Sequence, residues 1–271
     1  MTAPNVSNPT RSAATANQVR LPRTAALGPG RGEQPRLLID APAGAAEIYL
    51  HGATVTSWVP RGGAEVIFTS RQAVFDGATA IRGGIPLCLP EFGAGINGDA
   101  VPKHGWARIA PWRLRTVTST DDGGVRALLS VSRDHLTALC EIQIGETLRL
   151  GLSLRNDGTE PRTVEAAAHT YLSVHDVTAS LVSGLAGASY SDNLARSPQE
   201  LRQVQDGDVR ITGPVDRIYD SAEPVTVTDP GHRRAIHIDK RNAPSTIMWN
   251  PWSTYSAPLP DMADDEFPTM V

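Results

Sequence analysis

From Arg36 onward no apolar segment keeps a helical spacing for several turns. Short runs such as "RLLID", "EIYL", "ATVTSWV", "EVIF", "VRALLSVS" and "ALCEIQIG" are instead separated by Gly, Pro, Asn and Asp. In "TLRLGLSLRN", Leu148, Leu150, Leu152 and Leu154 recur at every second position, which places all four on one face of a half-buried strand. Asp122-Gly123-Gly124 and Asn156-Asp157-Gly158 supply the turn chemistry between such runs. The pattern predicts an all-β fold, a large antiparallel β-sandwich, over residues 36–271. Residues 1–35 are rich in Ala, Thr, Asn, Pro and Gly and offer few large side chains to bury, so they are predicted to be a disordered tail. A basic docking arm through Arg11, Arg20, Arg23 and Arg31 is the alternative use of that segment, although its charges are dispersed.

A net charge of −4, with no block of consecutive Lys or Arg, gives no footprint for duplex nucleic acid or an anionic membrane. The expected partner is therefore a small molecule, and the expected state a monomer. Two cysteines, Cys88 and Cys140, form neither a disulfide framework nor a CxxC pair, which fits a reducing cytoplasm. No apolar run approaches the roughly 18 residues of a membrane span, and no signal-peptide core is present. A GxSxG elbow, a Walker A loop, an HExxH motif and a cysteine cluster are all absent from the sequence. The seven histidines are dispersed, without metal-ligand spacing, so no metal or cofactor is expected.

Four stretches resist the strand reading. In "AIRGGIPLCLPEFG", Gly83-Gly84, Pro86 and Pro90 interrupt any ladder beside Arg82, as in a loop that brings backbone and a guanidinium to a ligand. "PKHGWARIAPW" brings together His104, Trp106 and Arg108, a mixture suited to an anionic sugar: a planar fork for phosphate and an aromatic face for C–H surfaces. In "AAAHTYLSVHD", alternation puts Ala167 and His169 on one face, with small neighbours leaving room above the imidazole, whereas His175 reads as a loop residue. A satisfied core or surface histidine is the other reading of His169. Asp216 of "GPVDRIYD" has the chemistry to accept sugar hydroxyls, or else serves as a turn residue beside Gly213 and Pro214; "WNPW" is the companion stretch.

Taken in order, "HGATVTSW", "IRGGIPLCLPEFG", "PKHGWAR", "HTYLSVHD", "VDRIYD" and "WNPW…DMADDEF" resemble the hexose-6-phosphate mutarotases, or glucose-6-phosphate 1-epimerases, of the aldose 1-epimerase superfamily. The resemblance runs from about Arg36 to Val271 and implies a galactose mutarotase-like sandwich with a sugar site in a concave face. It implies His169 as general acid, Arg82 and Arg108 as sugar- or phosphate-contacting arginines, and His104 and Asp216 as substrate-binding residues. The pairing of "RGGIP" with "HGxAR" favours a phosphorylated sugar over the neutral sugars of the galactose mutarotases.

The implied reaction needs one acid and one base and no cofactor. Protonating the ring oxygen while deprotonating the C1 hydroxyl opens the ring, and closure on either face exchanges the anomers. The family's base is a glutamate on a late strand just after a segment like "MADDEFPTMV". The resemblance therefore places it a few residues past Val271, with Thr269, Met270 and Val271 as the lead-in to that strand and the sandwich incomplete at its C-terminal end. Asp261, Asp264, Asp265 and Glu266 precede the strand and are expected to form a solvated polar loop rather than supply the base. A non-catalytic sugar-phosphate-binding module and a neutral-aldose epimerase are the alternative functions.

Overall fold

The computed structural model describes residues 19–271. Strands β1 (Ala25–Pro29), β2 (Pro35–Ala41), β3 (Gly44–Tyr49) and β4 (Thr54–Pro60) form an antiparallel sheet in chain order. The two-residue strand β5 (Leu87–Cys88) follows. A long meander then comprises β6 (Arg113–Ser119), β7 (Val125–Arg133), β8 (Leu136–Ile144) and β9 (Leu148–Asn156). The chain returns as β10 (Ala167–Ala168) to pair with β5, Ala167 opposite Cys88.

The last third contains β11 (Leu181–Ser183), β12 (Ser189–Asp192), β13 (Arg202–Val204), β14 (Val215–Tyr219), β15 (Val225–Asp229), β16 (Arg234–Ile238) and β17 (Thr246–Asn250). They form two sheets, ordered β11-β15-β16 and β13-β12-β14-β17. No helix among the described residues is long and apolar enough to cross a membrane.

The alternation that predicted the strands is what builds the core. Leu37 and Ile39 of β2, Ile48 of β3 and Val55 of β4 are fully buried in one cluster with Leu129, Ala138, Cys140 and Ile142 of the meander, so these sheets pack face to face. On β9 the leucines are partly buried against this cluster while the intervening residues are exposed, as the period of two requires. A second cluster, including Val182, Tyr190, Val215, Tyr219, Val227 and Met248, lies beneath the C-terminal sheets.

Two expectations are corrected. Ordered structure begins before residue 36: β1 pairs along its whole length with β2, Ala25 opposite Ile39. Arg31 donates to the carbonyls of Ser70 and Arg71 and lies over the Phe75 ring at 4.3 Å, so this cation is spent within the fold. Residues 1–18, with Arg11, fall outside the described residues. The segment 261–266 is also not a solvated loop. Asp261 and Glu266 are buried, and Glu266 accepts from the Ser70 hydroxyl, the Arg71 and Ala263 backbone N–H groups and Arg71 Nε. After it, Phe267–Thr269 forms a 3-10 turn, and only Met270 and Val271 are extended, alongside Ser173 and Leu172.

Candidate functional site

The site is assembled where β5 and β10 meet. Glycines make this possible, because Gly83 has φ +105 and passes so near Thr69 that a Cβ would lie 2.5 Å from that residue's Cα. The chain beyond it is then held by Gly84 N–H donating to Phe68 O, Ile85 N–H to Val55 O, and the Tyr171 and His169 N–H groups to the Gly84 and Pro86 carbonyls. Arg82, ahead of β5, and His169, just after β10, 87 positions apart in sequence, are thereby brought onto adjoining segments of chain.

The His169 imidazole stacks on the Tyr171 ring with centroids 4.7 Å apart and planes 21° apart. Trp249 presents an edge at 6.1 Å and His104 at 6.2 Å. Arg82 donates from Nε to Asp261 Oδ1 at 3.1 Å and from Nη1 to the Tyr171 hydroxyl at 3.2 Å. Burial works against its charge, but Tyr171 and Asp261 outweigh it and hold the guanidinium pKa above the usual value. Arg108 donates from Nη2 to Lys103 O at 2.9 Å, while its buried Nε has no partner. Burial lowers the Arg108 pKa, and the positive charge of Arg82 adds to the effect.

The two imidazoles are kept neutral. Burial, followed by the charges of Arg108, Lys103 and Arg82, pushes His104 down to about 4. Burial, His104 and the same two arginines push His169 down to about 4 as well. His104 Nδ1 accepts the Gly93 N–H at 3.1 Å and lies 3.5 Å from Cys88 Sγ, whose thiol burial pushes up to about 11. A neutral imidazole whose Nδ1 accepts a hydrogen bond carries its proton on Nε2, so His104 is a fixed donor.

Asp216 lies within β14 rather than in a turn. The signal from Gly213 and Pro214 describes the approach to the strand, and the pairing of Asp216 with Trp249 of β17 puts the two side chains on one face. Its carboxylate accepts from Asn193 Nδ2 at 2.9 Å, and its pKa is raised, chiefly by burial. Trp249 links Asp216 to His169 and Tyr171.

Trp106 is the misplaced member of the expected set. It is 5% exposed within the main core, with Arg133 over its ring, so it offers no face to a sugar. The aromatic wall is made by Tyr171, Trp249 and Phe92, the last edge-on to His104 at 5.0 Å. Asp261, Tyr171 and Asn193 were not legible as site residues because each is recruited by a partner distant in sequence. The "HTY" spacing, which puts His169 and Tyr171 on the same side of an extended chain, was the available signal for Tyr171.

Gly105 explains why "HGWAR" can present His104 and Arg108 together. It has φ +69, and a Cβ there would lie 2.1 Å from Leu89 O and 2.3 Å from Leu89 C. Gly105→Ala is expected to cost about 2–4 kcal/mol in a denaturant titration. Gly93→Ala, also at positive φ but facing open space, is expected to cost only about 1 kcal/mol.

An antiparallel β-sandwich thus gathers His104, His169, Tyr171 and Trp249, with Arg82 bonded to Tyr171 and Arg108 close enough to depress both imidazoles, into one cluster. The family model for aldose 1-epimerase matches residues 35–271, and the chain belongs to that family. Two relatives carry the name "Putative glucose-6-phosphate 1-epimerase". The one from Cenchrus ciliaris is 31% identical over 83% of this chain and 73% of its own length. The one from Escherichia coli K12 is 30% identical over 87% of this chain and 80% of its own length. A crystal structure of a "putative mutarotase" from Salmonella typhimurium superposes with a TM-score of 0.83 at 26% identity, over 93% of this chain and 85% of that one. A galactose mutarotase-like protein from Clostridium acetobutylicum shares the fold, with a TM-score of 0.67 at 12% identity, over 91% and 86%.

Proposed function

We propose that the chain interconverts the α and β anomers of a hexose 6-phosphate, glucose 6-phosphate in particular, with His169 as the acid and Arg82 and Arg108 receiving the phosphate. The observation that carries this reading is the free Nε of Arg108 beside an Arg82 already oriented by Asp261 and Tyr171. Two partly buried guanidinium groups match a phosphate dianion and are poorly matched to a neutral sugar. His104 Nε2–H and the Asp216 carboxylate supply a donor and an acceptor for hydroxyls. Names carried by relatives from a plant and two enteric bacteria support the same substrate. The two buried, unpaired cysteines fit a reducing compartment such as the cytoplasm.

Proton removal from the C1 hydroxyl needs a base, and Glu266 is not free to serve because its carboxylate is engaged by Ser70, Arg71 and Ala263. Leu172 and Val271 exchange backbone hydrogen bonds, and the same antiparallel register pairs Ser173 with Met270.

Exchange between the anomeric NMR signals of glucose 6-phosphate tests the reading. Acceleration above the uncatalysed rate is expected, with glucose a poorer substrate. Arg108→Ala and Arg82→Ala are each expected to raise KM for glucose 6-phosphate about 10–100-fold, with a much smaller effect for glucose. Saturable binding by a folded sample without acceleration would instead support a sugar-phosphate-binding module. Equal binding of both sugars, unaffected by the arginine changes, would support a neutral-aldose site.

A further inference from the structure

Tyr171 touches both halves of the site. Its side chain is 4% exposed, and its backbone is held on both sides, N–H to Gly84 O and O from Phe68 N–H, each at 2.9 Å. Its hydroxyl accepts from Arg82 Nη1, whereas its ring lies against the His169 imidazole and meets the Trp249 edge at 5.8 Å. Asp261, also buried, holds Arg82 at Nε. With Nε and one Nη1 hydrogen taken, the remaining N–H groups of Arg82 have a defined direction.

We propose that Tyr171 is a positioning residue that sets the phosphate-binding arginine and the acid imidazole at a fixed separation, its hydroxyl orienting Arg82 and its ring orienting His169. This rests on the hexose-phosphate reading above. The separation acts as a ruler: a sugar whose phosphate sits on Arg82 presents its ring oxygen to His169 only if the two side chains are held together. Because one rigid residue supplies both contacts, their contributions are separable by chemistry at a single position. Removing the hydroxyl releases only Arg82, and removing the ring releases His169 as well. Asp261 serves the first of these tasks from the opposite edge of the guanidinium.

The test compares Tyr171→Phe, Tyr171→Leu and Asp261→Asn with the unaltered chain, using glucose 6-phosphate and glucose in calorimetry and in NMR anomer exchange. Tyr171→Phe is expected to weaken glucose 6-phosphate binding about 3–10-fold, a larger loss than it causes in glucose binding or in exchange at saturation. Asp261→Asn, nearly isosteric, should reproduce that split. Tyr171→Leu should lower exchange at saturation about tenfold or more for both sugars. The His169 Hε1 resonance should move downfield as the ring current of the stacked tyrosine is lost in Tyr171→Leu, but not in Tyr171→Phe. Binding by the unaltered chain, with Tyr171→Phe and Asp261→Asn indistinguishable from it, overturns the positioning role alone. A Tyr171→Phe that weakens both sugars equally overturns it too. Absence of saturable glucose 6-phosphate binding by the unaltered chain overturns the positioning role together with the functional reading.

Discussion

Replacing His169 by Gln lowers the catalysed exchange of glucose 6-phosphate anomers by about 10²–10⁴-fold while leaving substrate binding within a few-fold, the expected signature of losing a group that acts only in the transition state. Glutamine keeps much of the size of imidazole and leaves the Tyr171 stack covered, but it has no proton to give at the ring oxygen. The pH dependence sharpens this expectation. In the empty site, burial and the charges around it (His104, Arg108 and Arg82) hold His169 at about 4, so the protonated form of the free protein falls tenfold per pH unit above that value. A phosphate dianion on the two arginines offsets their charge and favours the imidazolium, which raises the pKa in the complex. The limb at which kcat declines with rising pH is therefore expected at higher pH than the corresponding limb of kcat/KM. The acidic site carboxylates, Asp261 and Asp216, act in the same direction as the phosphate but are already engaged by Arg82 and Asn193. Both limbs should vanish in His169→Gln. In Arg108→Ala the kcat/KM limb should move to higher pH, because one of the charges depressing His169 is gone. Superimposable kcat and kcat/KM limbs would remove the phosphate from the protonation of His169, and a His169→Gln protein with unchanged exchange would remove His169 from the chemistry.

The long strands were readable because alternation and turn chemistry are local. "VRALLSVS", "ALCEIQIG" and "TLRLGLSLRN" carry both signals, and they became β7, β8 and β9. Strand β1 was not readable, because "AALGP" buries little and is held by the backbone ladder to β2 rather than by its own side chains. Strands β5 and β10 are two residues long and sit among prolines and alanines, so they have no period to detect. Of the site, His169, Arg82, His104, Arg108 and Asp216 were nameable by resemblance to motifs, and His104, Arg82 and Arg108 lie close enough to His169 for each to depress its pKa. What no local reading could supply was the role of the "DMADDEF" segment. A run of four acidic residues in seven looks solvated by composition, yet the partners that bury two of them are Arg82 and Ser70-Arg71, far away in sequence. Trp106 failed for the complementary reason: it shares a motif with two site residues but points into the core.

Glu266→Gln is expected to destabilise the protein by about 3–5 kcal/mol, lowering Tm by roughly 6–15 °C in a thermal melt. The carboxylate takes four hydrogen bonds: the Ser70 hydroxyl at 2.7 Å, Arg71 N–H at 2.8 Å, Ala263 N–H at 2.9 Å and Arg71 Nε at 3.2 Å. All of its donors point at acceptor oxygens, so an amide NH₂ in place of one oxygen faces donors and leaves buried N–H or O–H groups unpaired. Asp265 provides the contrast within the same segment. It pairs with Arg71 at the surface, both side chains largely exposed, and Asp265→Asn should leave Tm essentially unchanged. The consequence of Glu266→Gln should also reach the site. The segment it anchors contains Asp261, which orients Arg82, and leads into the extended pairing of Met270 and Val271 with Ser173 and Leu172. Loosening it is therefore expected to weaken glucose 6-phosphate binding more than glucose binding at a temperature where the variant is still folded. If calorimetry shows equal affinity for the phosphosugar before and after the change, the buried carboxylate holds the sandwich together without supporting the phosphate arginine. An unchanged Tm would mean instead that the Ser70 and Arg71 donors find other acceptors once the carboxylate is neutralised.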